Sequence, residues 1–122
     1  MTEVVINRQY GGLELSNKAI ELWAKYSNID LTPQYYSYTI DNPEIYYYLY
    51  EDDNGSTNIL YPNEYIHRDD PNLIRVVKEL GDEANTEVSE LVVVDIPDDV
   101  EWTIVRYSYD MEIVVEKGKV WF

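Results

Sequence analysis

The chain has 122 residues, no cysteine, 13 tyrosines and a formal net charge of −15. This length suits a single domain over residues 1–122 with one modest core. The lack of cysteine excludes disulfides and thiolate metal sites and fits a reducing compartment. No apolar run approaches the length of a membrane span and no charged-then-apolar leader is present, so we expect a soluble, cytoplasmic protein.

The negative charge is distributed unevenly along the chain. Residues 1–29 hold three acids and three bases, whereas residues 30–70 hold nine acids and Arg68 as their one base. Residues 71–122 hold twelve acids and five bases. Direct binding to nucleic acid needs a basic footprint, so this charge disfavours it. A basic protein partner is favoured instead, because opposite fields steer encounter.

The first third of the chain predicts a strand followed by a helix. β-Branched residues in "TEVVINR" indicate a strand at about 3–8, and the glycines of "QYGG" indicate a tight turn. Ser16 is a suitable N-cap for a helix over 16–28, because Ile20 and Trp23 begin an apolar stripe with helical spacing.

The segment "EIYYYLYEDDNGS", residues 44–56, predicts one arm and the turn of an antiparallel hairpin that returns through "TNILYP". Side chains alternate between the faces of a strand, so one face can be core while the other displays a row of phenols. The expected core set is Ile45, Tyr47 and Leu49, and the expected outward set is Tyr46, Tyr48 and Tyr50.

The second half of the chain predicts a second helix and further strands. In "RDDPNLIRVVKELG", Asp70 suits the N-cap, Pro71 the first helical position and Gly81 the stop. Three strand candidates follow, "SELVVVDI", "VEWTIVRY" and "MEIVVEKGKVWF", the last able to fold back at Lys117-Gly118. We therefore expect an α+β fold: a mainly antiparallel sheet of about five to six strands with two helices packed on it.

The residues that most often carry catalysis are sparse. The single histidine, His67, precedes Arg68 and two aspartates. This arrangement suits a general base, a metal ligand together with the aspartates, or a solvated loop that leads into a capped helix. The acids of "EDDNGS" and "PDDVE" lack the spacing of a calcium loop and suit turns. We expect no catalytic residue, no metal site and no cofactor, so the protein is interpreted as non-enzymatic.

The turn "NRQYGG" is the place where a small phosphate ligand could meet backbone N–H groups. It matches neither a dinucleotide fingerprint nor a P-loop, since no G-K-[ST] follows. The possible ligand-binding residues are Arg8, Tyr10, Gly11 and Gly12.

Tyrosine interspersed with acids favours a binding surface. Tyrosine offers a large, rigid contact area, and a run of adjacent tyrosines cannot bury every ring on one side of a strand. The predicted partner-binding residues are Tyr46, Tyr48, Tyr50, Glu51, Asp52 and Asp53.

Three segments, "VVINRQYGG", "RDDPNLIRVVKELGDEAN" and "LVVVDIPDDVEW", resemble in order and spacing a group of small bacteriophage proteins. That group has an I-N-R-x-Y-G-G start, an R-D-D-P helix and an I-P-D-x-V-x-W strand. The resemblance covers about half of the chain and implies a phage origin rather than an activity. The tyrosine-rich segment 34–65 departs from the group's pattern, as a target-adapted insert would.

Small acidic phage proteins that act without catalysis often resemble DNA mimics or anti-CRISPR proteins. The comparison with this chain is an analogy of origin and charge. The leading hypothesis is therefore an inhibitor in the host cytoplasm that binds a basic nucleic-acid-binding defence protein, such as a CRISPR effector nuclease. The alternative is a binder that sequesters a nucleotide signal of host defence at the Gly-Gly turn. A hydrolase that uses His67 and a structural virion protein are the remaining possibilities.

Overall fold

A computed structural model of the chain describes residues 2–9, 12–35, 45–107 and 111–117, with the backbone alone for residues 35, 45–47 and 107. The described elements, in chain order, are β1 (Thr2–Asn7), α1 (Asn17–Tyr26), β2 (Thr32–Tyr35), β3 (Ile45–Glu51), β4 (Thr57–Leu60), α2 (Pro62–Tyr65), α3 (Pro71–Leu80), a 3-10 helix (Gly81–Ala84), β5 (Leu91–Ile96), β6 (Trp102–Tyr107) and β7 (Met111–Glu116).

The predicted α+β class with antiparallel strands and packed helices is confirmed, but the strands do not form one sheet. They form three small antiparallel sheets with the strand orders β1-β5, β2-β3-β4 and β6-β7. The turn after Pro97, in which the Val100 N–H donates to the Pro97 carbonyl, does not join β5 and β6 into a hairpin. Strand β5 pairs with β1 instead. No helix within the described ranges is long and apolar enough to cross a membrane.

The two longer helices begin where the sequence predicts, and α3 also ends there, whereas α1 ends at Tyr26, two residues before the predicted end. The Ser16 hydroxyl accepts a hydrogen bond from the Ala19 N–H at the start of α1. The Asp70 carboxylate accepts from two backbone N–H groups at the start of α3, with Pro71 in the first turn. Gly81 ends α3 with φ of 55°, a conformation that favours glycine. These caps satisfy backbone groups that the helices themselves leave unpaired.

Strand β1 is buried on both of its faces. Val4, Val5, Ile6 and Asn7 are consecutive and none is more than 2% exposed. Helix α3 contacts β1 and β5, and β7 also contacts β1. A strand with one solvated face would alternate between buried and exposed side chains, so β1 is a central element of the core.

The hydrophobic core joins the two helices to the tyrosine-rich hairpin. Helix α1 packs against α3, with Trp23 and Val76 buried between the elements. Tyr48 of β3 and Leu60 of β4 are paired across the two strands and are each 2% exposed. The hairpin is thus packed onto the domain through one of its faces.

Some elements differ from expectation or lie outside the described residues. Strand β2 covers residues 32–35 and so begins before the strand-like "YYSYTI", most of which is not described. Helix α2 and the 3-10 helix were not predicted, since each has only four residues. The predicted fold-back at Lys117-Gly118 also lies outside the described residues.

Candidate functional site

The turn between β3 and β4 is built around Asp52. Its carboxylate accepts hydrogen bonds from the N–H groups of Asn54 and Ser56 and from the side-chain amide of Asn58, at 2.9–3.0 Å. The Asn58 amide, and after it the Ser56 N–H, hold the pKa of Asp52 below its ordinary value. Gly55 completes the turn with φ of 80°. Asp52 therefore holds the hairpin in shape, and Glu51 and Asp53 beside it are exposed.

An acidic cleft of about 650 Å³ lies beside this turn. It brings Asp30, from the segment after α1, together with three acids of the hairpin. The lining residues are Asn28, Ile29, Asp30, Thr32, Leu49, Tyr50, Glu51, Asp52, Asp53 and Thr57. No lysine or arginine is among these described residues, so the negative potentials of the four carboxylates add. We call this the acidic cleft.

The predicted orientation of the β3 tyrosines is wrong. Tyr48 was expected to face outward, yet it lies in the core, and Tyr50 packs partly buried against that core. Leu49, expected in the core, lines the acidic cleft. Side chains of cross-strand partners lie on the same face of a sheet. Leu60, opposite Tyr48, is buried, while Ile59, opposite Leu49, is 54% exposed, so the face that carries Tyr48 is the one that packs on the core. The side chain of Tyr46 lies outside the described residues.

A second groove, of about 800 Å³, lies on the α1 and α2 side of the hairpin. Three carboxylates, those of Glu14, Glu64 and Glu87, line it, and none of them makes an ion pair with another described residue. Apolar lining is supplied by Leu15, Ile20, Tyr48, Tyr61 and Pro62. Tyr61 is 46% exposed. We call this the glutamate groove; no pattern in the sequence brings these acids together, since they come from three separate segments.

Neither a metal-binding group nor a carboxylate partner for His67 is found among the described residues. Among the described residues, no group of three or more His, Asp or Glu side chains could hold a metal ion. His67 is exposed, and the nearby Asp70 carboxylate is bonded to the Asn72 and Leu73 N–H groups of α3. The described residues give His67 no hydrogen bond to a carboxylate that would orient it as a general base.

Arg68 and Glu112 form a buried ion pair that the sequence did not predict. The Glu112 side chain is 2% exposed, and both of its oxygens accept from the Arg68 guanidinium, at 2.6 and 2.8 Å. Glu112 also accepts from the Asn7 N–H at 2.8 Å, and Arg68 donates to the Val5 carbonyl. The one available signal was that Arg68 is the single base among nine acids in residues 30–70.

Asn7 gives the "INR" segment a structural role. Its side-chain amide donates to the Gly12 carbonyl at 2.9 Å, and its side-chain oxygen accepts from the N–H groups of Gln9 and Glu90. Asn7 is fully buried. Of the predicted ligand-binding residues, Arg8 is exposed and Gly12 is half-buried, while Tyr10 and Gly11 lie outside the described residues.

The ionisation of Glu112 should make stability depend on pH. Burial by itself raises the pKa of Glu112, but hydrogen bonds from Arg68 and Asn7 and the charges of Arg68 and Arg106 together hold it below its ordinary value. Folding therefore gains stability from this carboxylate above the unfolded-state pKa of about 4.3, and loses it as pH falls through the lower folded pKa. We expect the stability difference between wild type and Glu112→Gln to be constant near neutral pH and to shrink below about pH 4.

Urea denaturation of both proteins across this pH range measures that difference. A difference that stays constant or grows towards low pH would contradict the lowered pKa of Glu112. Glu83→Gln is the matched control, because the Lys18–Glu83 pair is more than 60% exposed on both sides. Its effect should be small at every pH.

Comparison of the chain with protein-family models, with curated proteins and with solved structures gave no match. The candidate site therefore rests on the geometry and charge described above.

Proposed function

We propose that this protein is a non-catalytic inhibitor that binds a basic, nucleic-acid-binding host defence protein, such as a CRISPR effector nuclease. The observation that carries the proposal is the acidic cleft and the glutamate groove beside one hairpin. Together they present seven carboxylates from separate segments, with no lysine or arginine among the described lining residues. Such a surface is complementary to the basic channel of a nucleic-acid-binding protein.

Clefts strengthen this complementarity. Concave surfaces lined by charges of one sign focus the field and raise the local concentration of an oppositely charged partner. With a net charge of −15, the whole chain adds to the long-range attraction. Carboxylates on strands and turns can take the place of phosphates against lysine and arginine, which is the basis of DNA mimicry.

Apolar walls in both grooves supply contact area that charge alone does not. Leu49 and Tyr50 line the acidic cleft, and Tyr61 lines the glutamate groove. Aromatic side chains at the centre of an interface commonly carry much of its binding energy, while charges at the rim set specificity and the association rate. The tyrosine-rich segment thus contributes through Tyr50 and Tyr61, whereas Tyr48 supports the surface from within the core.

The resemblance to small phage proteins implies a phage origin, and an action in the host cytoplasm against host defence is proposed by analogy of origin and charge. The proposal of a non-catalytic protein is supported by Asp70, whose carboxylate near His67 caps helix α3. Direct binding to nucleic acid remains disfavoured, because the backbone phosphates would be repelled by these grooves.

Binding to a purified CRISPR effector nuclease, and to a panel of other basic nucleic-acid-binding proteins, tests the proposal. We expect one of them to bind at about 50 mM salt, with affinity at least about tenfold lower at about 500 mM, because the Debye length shortens from about 14 to about 4 Å. The bound nuclease should also lose its affinity for DNA. Lack of binding to every member of the panel at low salt, or binding that salt does not weaken, would overturn it.

A further inference from the structure

Gly12 lies where two arginine side chains meet. A Cβ atom at this position would be 3.4 Å from Nη2 of Arg106 and 3.9 Å from Nη2 of Arg68. Positive φ angles occur among the described glycines at Gly55 and Gly81 but not at Gly12. Backbone conformation therefore does not require glycine here. Both guanidinium groups lie within contact distance of the place where a side chain at this position would begin.

The first of these groups, Arg68, is fixed in place with a donor to spare. Its Nη1 bonds to the Val5 carbonyl and to one oxygen of Glu112, and its Nη2 bonds to the other oxygen. Nη2 carries two hydrogens, and the described residues accept one of them. No described residue accepts the second hydrogen of this guanidinium nitrogen, which is the one that approaches Gly12.

The second group, Arg106, is exposed and makes no hydrogen bond or ion pair within the described ranges. It lies opposite Glu112 in the β6-β7 pair, and its charge acts on that carboxylate. Both oxygens of Glu112 are already bonded to Arg68. Among the described residues, two guanidinium groups thus share the one carboxylate of Glu112, an excess of positive charge at this point.

We infer that Gly12, Arg68 and Arg106 form a binding site for a phosphate group. Guanidinium groups match phosphate oxygens in geometry as well as charge, and two of them can bridge one phosphate. Glycine lets the ligand approach the backbone without meeting a side chain. The site is independent of the proposed inhibitor function, since it uses the basic residues of the chain and neither acidic groove.

Titration with inorganic phosphate and with adenosine monophosphate, followed by NMR at the Gly12 N–H and the Arg106 side chain, tests the site. Sodium chloride at matched ionic strength controls for screening of the net charge. We expect saturable shifts in wild type below about 10 mM ligand, and binding at least about tenfold weaker in Arg106→Gln and Gly12→Ala. The added methyl group of Gly12→Ala meets both arginines at ordinary contact distances, so this variant should fold.

Arg75→Gln is the matched control, because Arg75 pairs with Glu79 and stacks on the Tyr26 ring. It should bind phosphate as wild type does. Tighter binding of the nucleotide identifies a nucleotide phosphate as the ligand, and binding of inorganic phosphate alone identifies the free ion. Shifts no larger than those with chloride, or equal affinity in wild type and Arg106→Gln, would overturn the inference.

Discussion

Replacing Arg68 with methionine should lower the free energy of unfolding by about 3–5 kcal/mol, because the change leaves the Glu112 carboxylate buried without a counter-charge. Glu112 is 2% exposed, so water cannot replace the guanidinium. The substitution also removes the hydrogen bond to the Val5 carbonyl in the central strand. A loss of this size is a large fraction of the stability of a small domain.

Chemical denaturation of three variants measures the effect. Lys18→Met breaks an ion pair with Glu83 that is exposed on both sides, so we expect little change. The double variant Arg68→Met with Glu112→Leu removes both charges and should recover much of the loss, since no unpaired charge remains. If Arg68→Met alone lowers the free energy of unfolding by no more than Lys18→Met does, the buried pair does not stabilise the fold in the way described.

Charge reversal in the acidic cleft should weaken binding to the basic partner by on the order of 100-fold at low salt, since three favourable contacts become repulsive. The variant carries lysine at Asp30, Glu51 and Asp53. Asp52 is left unchanged because its carboxylate holds the hairpin turn. The affinity of the purified pair measures the effect, with the nuclease that the binding panel identifies.

A second triple variant separates the cleft from the total charge. Lysine at Asp95, Asp99 and Glu101 changes the net charge by the same amount at exposed positions that line neither groove. We expect this variant to reduce the association rate modestly, through weaker steering, and to leave dissociation unchanged. Equal losses in the two triple variants would show that total charge, rather than the cleft, determines the affinity.

Local signals predicted much of the fold. The sequence predicted the helix caps at Ser16 and Asp70, the end of α3 at Gly81 and the "DDNG" turn. Each of these satisfies backbone groups within a few residues, so a local pattern is enough to predict it. The division into three sheets could not be predicted from the sequence, because it depends on which strands pair over long distances in the chain. Strand β1 pairs with β5 across most of the chain, and no local pattern specifies that choice.

The candidate site was predicted in part. Glu51 and Asp53 are exposed at the hairpin as expected, but the face of β3 was inverted. Alternation of side chains gives β3 two faces but does not say which of them is buried. Hydrophobicity does not decide this either, because tyrosine can pack in a core as well as leucine does. Asp30 joins the cleft through the position of the segment after α1, which only the folded arrangement shows.

The burial of β1 also bears on how the protein is made. Its partners, β5 and the Glu112 carboxylate of β7, are separated from it by most of the chain: Glu112 lies 105 positions after Asn7. Contacts so distant in sequence slow folding, because a long loop must close before they form. During synthesis, strand β1 therefore leaves the ribosome before β5 and β7 and cannot complete its contacts with them until both have been made. We expect the acidic segments made in between to disfavour aggregation of the unfolded chain, because like charges repel between molecules.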